Sequence, residues 1–196
     1  EVDLCSFELV QKACKSLKGI DFIFHTAAIQ PSCREMDIRK YANTNLIGAV
    51  NLVSACEERG FKNFIVSSSF SVYGKPEYVP VDESHPLHPI NIYGLTKLQA
   101  ELLFEFYARK KGFNAVILRC DGIYGANQTI RGLIQNLVES FSQGKNAELF
   151  NYGKQKRDHV YVDDVVDAHL GAMKLFHKED YNLYDIFNIG GGEPKT

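Results

Sequence analysis

Short apolar runs alternate along the chain with longer stretches in which apolar positions return at helical spacing. Val2 to Leu4 reads as the tail of a strand, and Ser6 caps a helix whose apolar stripe, Phe7, Val10, Ala13 and Leu17, ends at Gly19. Asp21 to Ala28 is apolar on both faces, the mark of a strand buried between two layers. From Ile38 to Glu58 a long helical pattern puts Tyr41, Asn45, Gly48 and Leu52 on one stripe with Val53 and Cys56 beside it, and Gly60 stops it. A second buried strand, Asn63 to Ser67, leads into Ser67, Ser68 and Ser69. The next segment, Tyr73 to Asn91, holds Pro76, Pro80, Pro86 and Pro89 and is too rich in proline for a regular element. A helix from Tyr93 is predicted to carry Leu95, Leu98, Leu102 and Phe106 inward, and Asn114 to Arg119 is a further buried strand. Strand and helix thus alternate to about residue 120, which predicts an α/β fold built on a parallel sheet with right-handed crossovers.

After Arg119 the character changes. Asp121 to Asn127 reads as a loop, followed by a helix carrying Ile130, Leu133, Ile134, Leu137 and Phe141 that Gly144 ends. A short strand around Leu149, a turn from Gly153 to Arg157, a strand from Val160 to Val162, a helix capped by Asp163 or Asp164 and a strand from Asp185 to Ile189 complete the pattern. Gly190, Gly191 and Gly192 do not make a phosphate loop, because no Gly-Lys-Ser/Thr follows them.

The 196 residues are 45% hydrophobic, ample for a buried core. A net charge of -2 and a pI near 6.3 give no electrostatic footing for nucleic acid or an anionic membrane. No apolar run approaches the roughly 20 residues that span a bilayer, and the first residues lack the basic region of a secretion signal. A cytoplasmic location is expected. The five cysteines, Cys5, Cys14, Cys33, Cys56 and Cys120, are scattered without a Cys-x-x-Cys pair, and the six histidines show no ligand spacing, so reduced thiols and no metal are expected.

The chemistry concentrates between residues 63 and 97. A buried strand that ends in serines delivers hydroxyls to the carboxyl edge of a sheet, where open α/β folds bind ligands. Tyr93 and Lys97, four residues apart at the start of a helix, stack a phenol over an ammonium. With Ser69 they form a proton-transfer set. The same spacing recurs at Tyr107 and Lys111 and at Tyr152 and Lys156, but the first pair falls in a solvated last turn and the second in a Gly/Lys/Gln turn.

Ser69-Phe-Ser-Val-Tyr-Gly74 followed by Tyr93-Gly-Leu-Thr-Lys97 resembles the extended short-chain dehydrogenase/reductase family, in particular its nucleotide-sugar epimerase and dehydratase branch. Asp21 to Ala28, Asn45 to Gly48, Leu118 to Gly125, Arg157 to Asp164 and Phe187 to Gly190 extend the likeness along the chain. The resemblance implies a Rossmann-like parallel sheet with helices on both faces, partial NAD(P)-binding over 1–120 and partial substrate-binding over 121–196. It implies catalytic roles for Ser69, Tyr93 and Lys97, with Tyr93 moving the proton on a sugar hydroxyl and Lys97 holding the ribose and lowering the phenol's pKa. Asp3, Leu4, Thr26, Ala27, Ala28, Asn45, Ser67, Tyr93 and Lys97 are the implied contacts of NAD, with NADP open, and Ser69, Tyr93, Gly122 and Arg157 those of a nucleotide sugar or other small alcohol. Asn45 reads equally as a structural tether, a carboxamide on a core-facing stripe needing its hydrogen bonds satisfied. A homodimer is compatible with the likeness.

Departures refine the expectation. The family opens with a strand and a Gly-x-x-Gly-x-x-Gly turn; here the sequence begins where the family's third strand would end, so it reads as a fragment. Sugar dehydratases carry an Asp-Glu pair just after the catalytic hydroxyl, where this chain has Phe70 and Ser71. Gly122 stands where many epimerases keep an Asn, and Arg119-x-x-Gly-Ile-Tyr-Gly125 is also similar to the 3β-hydroxysteroid dehydrogenase branch. Arg157 favours a phosphate partner over a sterol. Non-catalytic relatives would be expected to lack Tyr or Lys, and this chain holds both.

Overall fold

The computed structural model describes residues 1–30, 37–128, 132–147, 149, 154, 156–177 and 183–193. Four parallel strands, β1 (Ile23–His25), β2 (Asn63–Ser69), β3 (Asn114–Cys120) and β6 (Tyr184–Ile189), lie in that order across a single sheet. Helices α1 (Phe7–Ser16), α3 (Gly48–Arg59) and α4 (Ile92–Lys111) cover one face, packing Val10, Val53 and Phe104 against Phe64, Val66, Ala115 and Ile117. On the other face α6 (Val162–Met173) lays Val165 and Ala172 against Ile65, Val116 and Leu118. The alternation of side chains along each strand therefore feeds two cores, which explains why the strands read as unbroken apolar runs. This is a Rossmann-like α/β fold.

Beyond the carboxyl end of β3, the strands β4 (Ile123–Tyr124) and β5 (Val160–Tyr161) pair in parallel as a small separate sheet. Helix α5 (Leu133–Ser142) has the predicted periodicity, yet none of its residues is fully buried. Among the described residues, no helix is long and apolar enough to cross a membrane.

Several expectations are corrected. Residues 2–4 form no strand: Leu4 packs on Gly48, and its carbonyl accepts from the Asn51 side chain at 2.8 Å. β1 stops at His25, so Thr26 to Ala28 lie past the strand at its carboxyl end. Val162 opens α6 instead of closing a strand, and the cap position belongs to Tyr161, with Asp163 and Asp164 in the first turn facing the positive end of the helix. Leu149 is not in a strand; the residues around it, Tyr152 and Ile130 lie outside the described residues.

The helix predicted from Ile38 is three pieces: α2 (Ile38–Tyr41), a π-helical turn (Ala42–Ile47) and α3. The wide turn takes in an extra residue. As a result the buried stripe slips from Tyr41, Asn45 and Gly48 to Ala49, Val53 and Cys56, and Leu52 is only partly buried.

Helix α4 has the predicted period but the opposite phase. Leu95, Leu102 and Phe106 are 41%, 54% and 53% exposed, whereas Thr96, Lys97, Ala100, Glu101 and Phe104 are buried. Two stripes were available, and the one that won carries small residues and two charges. The reason is local to the site.

Candidate active site

Strand β2 ends with Ser68 on the α4 side and with Ser67 and Ser69 on the opposite face, as the two-residue period requires. The Ser69 hydroxyl accepts from the Ser71 amide and donates to the Ser71 hydroxyl, both at 3.2 Å, which fixes its direction at the strand end. The Tyr93 phenol stands near enough for this hydroxyl to favour the phenolate. Tyr93 lies in the first turn of α4, which Asn91 caps by accepting from the Gly94 amide at 2.8 Å. The turn sits close to the serines because residue 94 is glycine: a side chain there would collide with the Ser71 carbonyl and press on Pro89 at 3.1 Å. One turn later Lys97 is 4% exposed. The structure thus gathers Ser69, Tyr93 and Lys97 at the carboxyl edge of β2 and β3.

Burial is the main influence on the titrating groups. It pushes the Tyr93 phenol up, and the neighbouring Ser69 hydroxyl is what pulls it back, a part the sequence had given to Lys97. Burial lowers Lys97 to about 8 against the pull of Glu101. At the end of β1, His25 is 3% exposed and is lowered to about 4, first by burial and then by the nearby Lys97 charge. Cys120, at the end of β3, is pushed up to about 11 by burial while the charge of Lys97 draws it down.

The stretch after β1 is held from the α2 side. Asn45 accepts from the Ile29 amide at 2.7 Å and donates to the Ile29 carbonyl at 3.2 Å and to Thr96 at 3.1 Å, while the Tyr41 hydroxyl donates to the Gln30 carbonyl at 3.1 Å. The Asn45 amide is therefore used within the protein, tying the strand end to α4. Thr26 and Ala27 are exposed and Ala28 half-buried, an edge of small residues beside His25 and Lys97.

Other sequence-predicted residues lie apart from this centre. Asp3 is exposed and accepts from the Cys5 amide at 2.9 Å. Leu4 packs on α3 as described. The Ser67 hydroxyl donates to Nε2 of His169, whose Nδ1–H donates to the Val165 carbonyl, both contacts anchoring α6. Gly122 bears no side chain toward a ligand: with φ at +24°, its Cα faces the His159 ring, and a Cβ there would fall 2.5 Å from Nδ1. The imidazole takes the space an Asn would fill and donates to the Gly122 carbonyl at 3.0 Å. Arg157 is exposed just before β5.

Sequence reasoning missed a buried cluster behind Lys97. Glu101 pairs with Arg119 at 2.7 Å and accepts from Ser68; Arg119 donates to the Tyr73 hydroxyl at 2.8 Å, which donates to Asn188 at 2.7 Å. The available signal was an acidic residue one helical turn beyond Lys97 together with an arginine at the end of an otherwise apolar strand.

The model of the NAD dependent epimerase/dehydratase family matches residues 1–190. A putative UDP-glucose 4-epimerase of Methanocaldococcus jannaschii is 31% identical over 183 residues, covering 91% of this chain and 58% of that protein. The UDP-glucose 4-epimerase of Lactobacillus helveticus is 32% identical over 200 residues, covering 93% and 59%. Among solved structures, the UDP-glucose 4-epimerase of Thermotoga maritima with UDP-glucose superposes with a TM-score of 0.86 at 31% identity, covering 98% of this chain and 62% of that one. The UDP-glucuronic acid 4-epimerase of Bacillus cereus, in complex with UDP-glucuronic acid and NAD, gives 0.80 at 30% identity, covering 95% and 58%. The chain spans a little under two thirds of the length of these relatives. With a family model matched along nearly its whole length and the phenol, amine and hydroxyl drawn to one sheet edge, the chain belongs to the NAD dependent epimerase/dehydratase family.

Proposed function

We propose that this chain carries the reactive centre of a nucleotide-sugar epimerase, which oxidises a sugar hydroxyl and reduces the product again on the other face. The observation that carries the reading is the convergence of the Ser69 hydroxyl and the Tyr93 phenol at the end of β2, with Lys97 one turn behind them. The Ser69 hydroxyl holds the reacting oxygen in line, and Tyr93 takes and returns its proton. Burial keeps Tyr93 protonated in the protein alone, so a positive charge brought beside the phenol is what would turn it into a base.

The residues present fit a nicotinamide dinucleotide. The exposed edge at Thr26 and Ala27 is small enough for a planar ring to approach the main chain, and Lys97 supplies a donor for ribose hydroxyls. When bound, that cofactor supplies the hydride chemistry; NAD is the reading, as in the complex of the Bacillus cereus relative. In this proposal Asp3 and Leu4 lie toward the adenine end, Ser67 and Asn45 support the strand ends, and residues 121–196 form the sugar side. There Arg157 and the Gly122 loop meet the nucleotide diphosphate and the sugar. The outward stripe of Leu95, Leu102 and Phe106 on α4 supports a homodimer, and the free thiols Cys5, Cys14, Cys56 and Cys120 suit a cytoplasmic protein.

The test is to incubate the full-length protein with UDP-glucose, UDP-N-acetylglucosamine and UDP-glucuronic acid, following epimers by chromatography and reduced cofactor by absorbance. Epimer formation without accumulation of reduced cofactor is expected. Accumulation with a hydroxysteroid, and no epimer from any nucleotide sugar, would replace this reading with that of an alcohol dehydrogenase.

A further inference from the structure

Tyr93, Lys97 and Glu101 follow one another at four-residue intervals on α4, so they rise in file up one face. The proposed chemistry uses the first two. The third is 2% exposed and fully engaged. Nε of Arg119 bridges both carboxylate oxygens at 3.2 Å, Nη2 meets Oε2 at 2.7 Å, and the Ser68 hydroxyl donates to Oε1. On its far side Arg119 lies 4.9 Å from the centre of the Tyr73 ring and donates to its hydroxyl, which reaches Asn188 on β6.

Stability does not account for an ion pair this deep, since well-packed apolar residues in place of such a pair are often neutral or better. Its neighbours suggest a different use. Ser68 precedes Ser69, Arg119 precedes Cys120, and Glu101 stands one turn beyond Lys97. Each anchor is one residue or one turn from a group at the reactive edge.

We propose that Glu101 is a positioning residue for Tyr93 and Lys97: clamped by Arg119 and Ser68, it sets the rotation and height of α4 against β2 and β3 and places its carboxylate one turn from the Lys97 amine. This rests on the roles proposed above for Tyr93 and Lys97. The titratable groups bearing on Lys97 are His25 from β1, Cys120 from β3 and Glu101 from its own helix. Tyr93 stands one turn earlier with Tyr41 of α2 bearing on it, Tyr184 of β6 lies against Glu101, and β2 contributes the serine hydroxyls. At neutral pH His25 is an uncharged imidazole and Cys120 an uncharged thiol. Glu101, held by the Arg119 guanidinium at 2.7 Å, is the acidic member of that set.

The test uses the full-length protein with ε-carbon-labelled lysine, comparing wild type with Glu101→Gln and with the double variant Glu101→Leu/Arg119→Met, which removes both members of the ion pair should the single variant fail to fold. In either variant the Lys97 resonance is expected to titrate on the order of one pH unit lower. Turnover is expected to fall about 10-fold or more with KM for the sugar within about 3-fold, and the alkaline limb of kcat to move down with Lys97. Unchanged Lys97 titration and a superposable pH profile, with only Tm altered, would overturn the proposal and leave the pair a packing device. A wild-type protein that turns over no nucleotide sugar would sink the functional reading instead, and the Lys97 titration would still decide the role of the charge.

Discussion

The Ser71 carbonyl and the Cα of Gly94 are in such close approach that the first turn of α4 rests directly on the end of the serine strand. This contact, more than any side-chain bond, brings the phenol of residue 93 within reach of Ser69. Gly94→Ala is therefore expected to lift the turn, costing about 1–3 kcal/mol of stability by overpacking. Denaturant unfolding measures the loss, and turnover should fall by more than the unfolded fraction explains. An alanine variant as stable and active as wild type would mean that the approach is not needed.

Tyr93→Phe keeps the ring and removes the hydroxyl. Turnover of the full-length protein should drop by about 10²–10⁴-fold, while NAD affinity measured by calorimetry stays within a few-fold. Near-normal turnover would take proton transfer away from this residue.

His25 gives the protein an acid sensitivity with a definite sign. The folded state accepts the imidazole proton only near 4, whereas the unfolded chain accepts it near 6.5. Stability is thus complete above about 6.5 and declines as pH falls toward 4, by up to about 3 kcal/mol in all. His25→Phe, beside the Phe104 ring at 5.8 Å, should flatten that part of the curve of unfolding free energy against pH. An identical slope in the variant would place the sensitivity elsewhere.

Asn45→Leu preserves volume but abandons the Ile29 amide and carbonyl. A cost of about 2–4 kcal/mol is expected, together with faster hydrogen exchange at Ile29 and weaker NAD binding through the loosened edge at Thr26 to Ala28. Loss of cofactor affinity without faster exchange at Ile29 would argue for direct contact with the cofactor instead.

If the outward stripe of α4 joins two copies, Leu102→Glu with Phe106→Glu should convert the full-length protein to monomers in sedimentation, with its fold retained by circular dichroism. A wild-type protein that sediments as a monomer would remove the basis for the dimer.

What could be read from the residues depended on how local the cause was. Ser69, Tyr93 and Lys97 were legible because a strand ending in hydroxyls and a four-residue spacing are short-range patterns. The phase of α4 was not, since a hydrophobic count favours Leu95, Leu102 and Phe106, while the buried face is chosen by Lys97 and Glu101 meeting groups on β2 and β3. Glu101 and Arg119 are 18 residues apart and become partners only once α4 lies over β3. Gly122 looked like a missing ligand, and its cause is His159, 37 residues away in sequence. Val2 to Leu4 has the composition of a strand, but the Leu4 carbonyl and side chain are taken up by α3 and Asp3 turns back to accept from Cys5 and Ser6.

The π-helical turn between Tyr41 and Gly48 carries a further consequence for how this segment can vary. Its last bond, from the Gly48 amide to the Asn43 carbonyl, absorbs one residue more than an ordinary turn would. Deleting a single residue there would restore regular pitch with α2 and α3 still in register, but it would change which side chain of the turn stands over Ile29, the backbone that Asn45 grips. The surplus residue thus works as a spacer between the part of the helix that serves the core and the part that serves the reactive edge, and a change of length here would be felt at Asn45 before it was felt at Val53.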